Sequence, residues 1–374
     1  MKRVSYIFPT SHHYRLPFHE QLRALLRARD VDYTVIYCEP GEENVKKGDA
    51  VDIPWGIKVP RSTLPGGLIY QQALQLALER DLVIVQQENS LALNYLLNLA
   101  SMVGAKKVAY FGHGRNFQSR NPDGRAERWK RFWATKVDWW FGYTDETRRH
   151  IESLGFPTER ITVFNNAVDT SEVRKLVAAV TPGRLAERRA ELGIDSQNVG
   201  VFVGGLYPDK RLAFLVDAAD RIRTRVPDFT LIVAGGGMQL ALMEEFAATR
   251  PWIKVTGPRF GADKVELMLL GQLFLMPGLV GLAVVDAGAT RLPTITTAFP
   301  YHSPEIAYVE HGVNGMIVPD WEDPQAYADV VADLFQDSTR LVAIRMAAER
   351  IAQGLTIEAM AERFAEGVLQ ALAT

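Results

Sequence analysis

The sequence predicts an α/β protein made of two doubly wound parallel-sheet domains. Three observations lead there. Short apolar runs alternate with amphipathic helical stretches along the chain. The runs are continuously apolar, as strands buried on both faces require, rather than alternating as in a half-exposed antiparallel sheet. The scheme then repeats after a charged, Ala-rich stretch at residues 171–195 that contains Thr181, Pro182 and Gly183. A chain of 374 residues, 47% apolar and 23% charged, is long enough for two or three domains and can fill their cores.

In the first half, residues 4–8 form a run of β-branched and aromatic residues and read as a strand. Residues 18–29 read as a helix with Phe18, Leu22, Leu25 and Leu26 on one side. Strands are expected at 32–37, 82–85, 107–111, 138–143 and 161–164, with a helix at 90–103. In the second half, strands are expected at 199–203, 229–234, 253–255, 273–276 and 293–296. Helices are expected at 211–225, stopped by Pro227, and at 326–335, 341–352 and 357–372. The expected domains are 1–170 and 171–355, with 356–374 as a closing helix packed back on the first. Ligands of open α/β sheets bind beyond the carboxyl ends of the strands, so the expected site is a cleft shared by the two sheets.

Composition removes several classes. With 42 basic and 44 acidic residues the formal charge is −2, and no nucleic-acid partner is expected. Cys38 has no second cysteine to pair with, which fits a reducing compartment. The basic start, Met1-Lys2-Arg3, is followed by too short an apolar run for a secretion signal. Residues 267–285 are uncharged over nearly a membrane-spanning length, but Gln272, Pro277, Gly278 and Gly281 break the run into strand, turn and helix. The expected location is the cytoplasm, either free or peripheral at the inner face of a membrane.

Four segments carry candidate chemistry. In 203–211 a strand ends in Gly204-Gly205, and a helix begins near Lys210-Arg211. Glycines admit an anionic ligand close to the backbone, and Lys210 would meet a diphosphate as a point charge. The other reading is an ordinary turn with a solvated Lys-Arg pair. In 277–289 small residues including Gly281-Leu282 precede an apolar helix that carries Asp286. A carboxylate among apolar neighbours needs partners: either ribose hydroxyls or a neighbouring basic or backbone group. In 299–318, His302 and Glu305 either face the cleft or, for Glu305, cap a helix, while Gly312-Val313-Asn314-Gly315 is a turn in its own right. In 111–116, His113 stands between Gly112 and Gly114 just past a strand, either beside a ligand or exposed in a turn.

Together these segments resemble the retaining glycosyltransferases of family four, which have the GT-B fold of two facing Rossmann-like domains. The resemblance rests on the 204–211 turn, on Gly281-Leu282 followed by Asp286-Ala287, on Pro304-Glu305-Ile306, on the 312–315 turn, and on Asn165-Asn166-Ala167-Val168-Asp169. It implies a hexosyltransferase using a UDP- or GDP-sugar, a glycan or lipid-linked acceptor of polysaccharide biosynthesis, and no cofactor or metal. By position, Lys210 would neutralise the diphosphate with Gly204, Gly205 and Arg211 around it. Gly281, Leu282 and Glu305 would meet sugar or phosphate, and Asp286 the ribose. Gly257 and Phe260 would flank the base. His113 would face the reacting sugar, and Tyr14, Arg15 and Arg115 would stand on the acceptor side. The chain departs from the family at Gly205, where Arg is usual, and at Gly278 and Asp286, where a pair of glutamates is usual. These departures support nucleotide binding over any particular donor sugar. They also keep a catalytically silent nucleotide-sugar binder in view as the alternative. A GT-B epimerase is the weaker rival, because it needs a dense set of carboxylates for proton transfer.

Other signals point less far. Asp30-Val31-Asp32 precedes a strand instead of following one, so solvated turn residues are expected. His12-His13 have no metal-ligand spacing to a second pair. Gly235-Gly236-Gly237 reads as a turn beside the nucleotide. Residues 115–136 hold Arg115, Arg120, Arg125, Arg128, Lys130, Arg131 and Lys136 against Asp123 and Glu127, with Trp129, Phe132 and Trp133 between them. A solvated helix with a buried aromatic face is the favoured reading; contact with anionic lipid or an anionic acceptor is the other.

Overall fold

The computed structural model describes residues 1–39, 51–117, 120–121 and 123–374, and at Tyr14 the backbone only. The chain divides into two compact units, Met1–Val168 with Ile357–Thr374, and Asp169–Thr356.

The first unit contains β1 (Lys2–Thr10), β2 (Val31–Cys38), β3 (Ile57–Val59), β4 (Arg61–Thr63), β5 (Ile69–Gln71), β6 (Leu82–Gln86), β7 (Lys107–Gly112), β8 (Trp139–Gly142) and β9 (Ile161–Val163). Seven of these form one parallel sheet in the order β3-β2-β1-β6-β7-β8-β9, and β4 and β5 make a separate antiparallel hairpin. Successive strand residues face opposite sides. Val4, Tyr6 and Phe8 of β1 therefore enter one core with Leu82 and Ile84 of β6. Ile7 enters the other core with Val83 and Val85. Two covered faces explain why the strands read as unbroken apolar runs. Helix Leu16–Arg27 covers the first face with Phe18, Leu22 and Leu26, at a spacing of four. Helix Ala92–Met102 covers the other face with Leu93 and Leu97.

Helix Ile357–Ala373 belongs to the first face of this unit, although its residues follow the whole second unit in sequence. Phe364 is fully buried and stacks on Phe141 of β8 with centroids 4.0 Å apart, while Phe18 and Phe164 each lie 5.4 Å from it. One turn along, an ideal Cβ on Gly367 would stand 2.3 Å from Thr162 Oγ1, so glycine lets the helix lie directly on β9.

The second unit contains β10 (Val199–Val203), β11 (Thr230–Ala234), β12 (Ile253–Gly257), β13 (Leu273–Leu275), β14 (Thr294–Thr297) and β15 (Gly315–Val318). They form one parallel sheet in the order β12-β11-β10-β13-β14-β15. The charged stretch at 171–195 forms two helices, Ser171–Ala179 and Pro182–Glu191. The second is capped by Thr181 Oγ1, which accepts from Arg184 N, and Arg184 also grips buried Glu266 through two bonds of 2.9 Å. The uncharged run at 267–285 resolves into a helix end, β13, a loop and helix Ala283–Ala289. Among the described residues no helix is long and apolar enough to cross a membrane.

Three short strands, β3 to β5, and the edge strand β15 were not among the sequence expectations. β15 directly follows the Gly312–Gly315 turn, and an ideal Cβ on Gly315 would stand 2.4 Å from the Thr294 carbonyl oxygen of β14. Phe364→Ala should destabilise the first unit by about 3–5 kcal/mol, because four aromatic rings close around that side chain. Urea denaturation followed by tryptophan fluorescence reads this loss.

Candidate functional site

In the second sheet the strand order turns back between β10 and β13. Such a reversal of strand order, at the carboxyl ends of the strands, is where open α/β sheets place their ligands. The loops around it are joined mainly through backbone. Leu206 N donates to Gly236 O at 2.8 Å, and Gly235 N donates to Gly257 O at 2.9 Å. An ideal Cβ on Gly235 would stand 1.9 Å from Gly204 O, so only glycine permits this layering. Gly204 itself has φ 152°, a conformation that favours glycine.

The loops after β10 and β13 are clamped together. Leu279 N donates to Asp209 O at 2.8 Å, and Lys210 Nζ donates back to Leu279 O at 2.5 Å. Gly278 lies against the same backbone: a Cβ there would meet Asp209 O at 2.1 Å and the Lys210 carbonyl carbon at 2.8 Å. The second loop is also held from β14. Buried His302 accepts from Val280 N on Nδ1 at 3.0 Å and donates from Nε2 to Thr297 O at 2.8 Å. Thr297 Oγ1 donates to Pro277 O at 2.7 Å. His302 is thus a buried loop fastener, not a cleft residue, and burial keeps it neutral by lowering its pKa to about 4.

Lys210 sits where this clamp closes. Burial pushes its pKa down to about 8, with Asp209 opposing the shift only weakly. Its bond goes to a carbonyl, and among the described residues no carboxylate pairs with it. It stands on a short 3-10 turn, Pro208–Lys210, and helix Leu212–Arg225 starts only after Arg211 adopts left-handed φ 57°. The helix thus begins one residue later than the expected span 211–225. Arg211 is drawn into an aromatic cage, with its guanidinium 4.2 Å from the Phe214 ring centroid and 4.8 Å from that of Trp321, and it donates to the Trp321 carbonyl.

The remaining predicted residues of this unit fall around the same edge. Asp286 is half-buried and bonded by Lys264 Nζ at 2.9 Å, so of its two sequence readings the basic partner is present. Lys264 was missed because it lies 22 residues away on helix Gly261–Leu270. Gly281 and Leu282 lead directly into helix Ala283–Ala289, and Glu305 is buried in the turn Pro304–Tyr308. Gly257 has φ 72° at the end of β12, and Phe260 is exposed at the start of the next helix. Tyr207 and Met238, also exposed, sit on the loops after β10 and β11. Neither stood out in the sequence. The Tyr207 ring occupies the space where a side chain at Gly205 would begin, 2.2 Å from an ideal Cβ.

In the first unit the order turns back between β1 and β6. A cavity of about 500 Å³ opens at that edge, lined by Phe8, Thr10, Arg15, Gln86, Glu88 and Tyr143 among others. His113 stacks on Tyr143 with centroids 4.1 Å apart, and burial, with Lys130 and Arg15 nearby, lowers its pKa to about 3. The expected exposed-turn alternative for His113 is therefore replaced by a neutral, packed ring. The Arg15 guanidinium lies 5.7 Å from the Tyr143 centroid. Arg115 is committed elsewhere, in an ion pair of 2.9 Å with Glu146 and over the Phe117 ring. The Tyr14 side chain lies outside the described residues.

Comparison with known proteins agrees with this geometry. Residues 6–172 match the model of Glycosyltransferase Family 4, and residues 197–337 that of Glycosyl transferases group 1. The chain is 27% identical over 255 residues to a D-inositol 3-phosphate glycosyltransferase of Corynebacterium urealyticum, covering 59% of each. It is 26% identical over 295 residues to a GDP-mannose-dependent alpha-(1-6)-phosphatidylinositol monomannoside mannosyltransferase of Mycobacterium tuberculosis, covering 75% of this chain and 74% of that one. The chain spans only about half the length of several other curated relatives, among them the alpha-D-kanosaminyltransferase of Streptomyces kanamyceticus. Anabaena HepE, solved with UDP, superposes with a TM-score of 0.70 at 19% identity over 99% of this chain and 100% of that one. The fold is GT-B. The chain belongs to the glycosyltransferases of family four.

Because Gly278 touches backbone that cannot swing aside, Gly278→Ala should cost about 1–3 kcal/mol of stability. Chemical denaturation measures it; an unchanged midpoint would mean that the loops are not in contact.

Proposed function

We propose that this protein is a retaining hexosyltransferase that moves a sugar from a UDP- or GDP-sugar to a glycan or lipid-linked acceptor without a metal ion. Lys210 is the observation that carries this reading. It is a largely buried cation at a sheet switch point, and its only described hydrogen bond is to a carbonyl. A nucleotide diphosphate would supply the missing negative charge, and the same contact would strengthen as charge builds on the leaving group. Asp286 would hold the ribose with the oxygen that Lys264 leaves free, and Gly257, Phe260, Tyr207 and Met238 would frame the base.

The second unit would thus take the donor and the first the acceptor. Phe8 and Tyr143 offer sugar-stacking walls, Arg15 offers hydrogen bonds to hydroxyls or an anionic group, and Gln86 and Glu88 offer hydrogen bonds to hydroxyls. His113, neutral at physiological pH, would hydrogen-bond a sugar hydroxyl instead of supplying charge. A relative described as GDP-mannose-dependent and a structural neighbour solved with UDP support both donor options. Work in the cytoplasm on intermediates of polysaccharide biosynthesis fits such donors.

One observation favours a second reading, the silent nucleotide-sugar binder. Backbone contact at Gly278 leaves no room for the glutamate that family members usually direct at the donor sugar. A thermal-shift panel of nucleotides and sugar nucleotides, followed by transfer and hydrolysis assays, separates the two. The transferase reading expects UDP or GDP to stabilise the protein and a matching sugar nucleotide to turn over. Binding without turnover across a broad acceptor set would favour the silent binder.

Lys210→Ala should lower turnover by about 10²–10³-fold while the protein stays folded. Unaltered turnover would remove Lys210 from the mechanism. Nucleotide affinity should also depend on pH with a definite sign. The free lysine titrates near pH 8, and a bound diphosphate favours its protonated form. Affinity should therefore be full below pH 8 and fall by about tenfold per unit above it. Calorimetric titration with UDP and GDP across that range measures the slope, and Lys210→Ala should flatten it.

A further inference from the structure

The first unit carries an exposed apolar face that its own fold leaves uncovered. From Leu91 to Val103 the chain has no charged residue. Helix Ala92–Met102 buries only one side of that segment, and Leu96, Leu99, Met102 and Val103 are 44%, 52%, 54% and 78% exposed. Helix Arg125–Ala134 lies beside it. Trp129 Nε1 donates to Tyr95 Oη at 2.9 Å, and the Tyr95 and Trp133 rings meet at 5.3 Å. Trp129 and Phe132 are 49% and 53% exposed, which overturns the expectation of a buried aromatic face on this helix.

Basic side chains predominate around these rings. Arg125 and Arg128 are exposed, and Lys136 lies 5.4 Å from the Phe132 centroid. The acidic residues nearby are occupied. Asp123 pairs with Arg131 at 3.2 Å, and buried Glu127 accepts from Asn116 N. An apolar stripe, half-exposed tryptophan and a collar of arginine match an anionic bilayer: rings at the headgroup level, aliphatic side chains below, cations on lipid phosphates. A second copy on this face would set like charges together.

We infer that the face formed by Leu96, Leu99, Met102, Val103, Trp129 and Phe132, with Arg125 and Arg128 at its edge, docks the protein on anionic lipid. The inference does not depend on the transferase reading, because docking is measured without substrate. The full chain should co-sediment with vesicles of phosphatidylcholine mixed with phosphatidylglycerol at low salt. It should bind phosphatidylcholine vesicles far less and be released as salt rises. Arg125→Gln with Arg128→Gln should weaken binding by about fivefold for each charge removed. Trp129→Ser with Leu99→Ser should weaken it at every salt concentration. The control Arg350→Gln, on the second unit, should change nothing. Failure to bind the mixed vesicles would overturn the proposal, as would equal effects from the control. A free protein that is dimeric and becomes monomeric on Trp129→Ser would also overturn it, by assigning the face to a second copy. Surface arginines do not support the fold, so the arginine pair tests the idea even if the apolar variant misfolds.

Discussion

The loops of residues 209–210 and 278–279 approach at backbone contact, and the rest of the second unit's ligand edge depends on this. The bond from Leu279 N to Asp209 O and the return bond from Lys210 Nζ are possible only because position 278 lacks a side chain. The contact holds a cation in a place where water solvates it poorly. Burial lowers the lysine pKa, and under the proposed function the same burial would make an incoming polyanion a favourable partner. Structure and electrostatics at this edge therefore come from one geometric fact.

His302 shows how such a loop stays in place. Both ring nitrogens are used, one accepting from Val280 and one donating to Thr297, which fixes the tautomer and ties the loop to β14. The glycines at 235 and 237 do the corresponding work across β10 and β11, where backbones stack too closely for a Cβ, and Gly204 supplies a φ of 152°. The family departure at Gly278 thus belongs to the packing of the loop and is not a vacancy left by a lost glutamate.

The first unit is organised around aromatic rings. Tyr6, Phe18, Phe141, Phe164 and Phe364 form one continuous core, and the last comes from a helix that follows the entire second unit in sequence. The neighbouring edge continues that aromatic character toward solvent, where Tyr143 stacks on His113 and lies under Arg15. The outer helices carry it further, onto the exposed face of Trp129 and Phe132.

The alternation of apolar runs and helical patterns was enough to read the strands of both sheets that are buried on two faces, because such strands need continuous apolar residues. It missed β3, β4, β5 and β15, which are short or at sheet edges, where neighbours and not local pattern decide pairing. Family-like spacing marked Lys210 and Asp286 from sequence alone, and its place between two glycines past a strand marked His113. What each of them touches was decided by tertiary structure. Lys264 reaches Asp286 from another helix, Leu279 receives Lys210 from across the sheet switch, and Arg211 is claimed by Phe214 and Trp321. These partners lie far apart along the chain or on a different element, so periodicity and motif spacing carry no record of them. The sequence determined which residues have the chemistry; the sheet order determined which of them stand together.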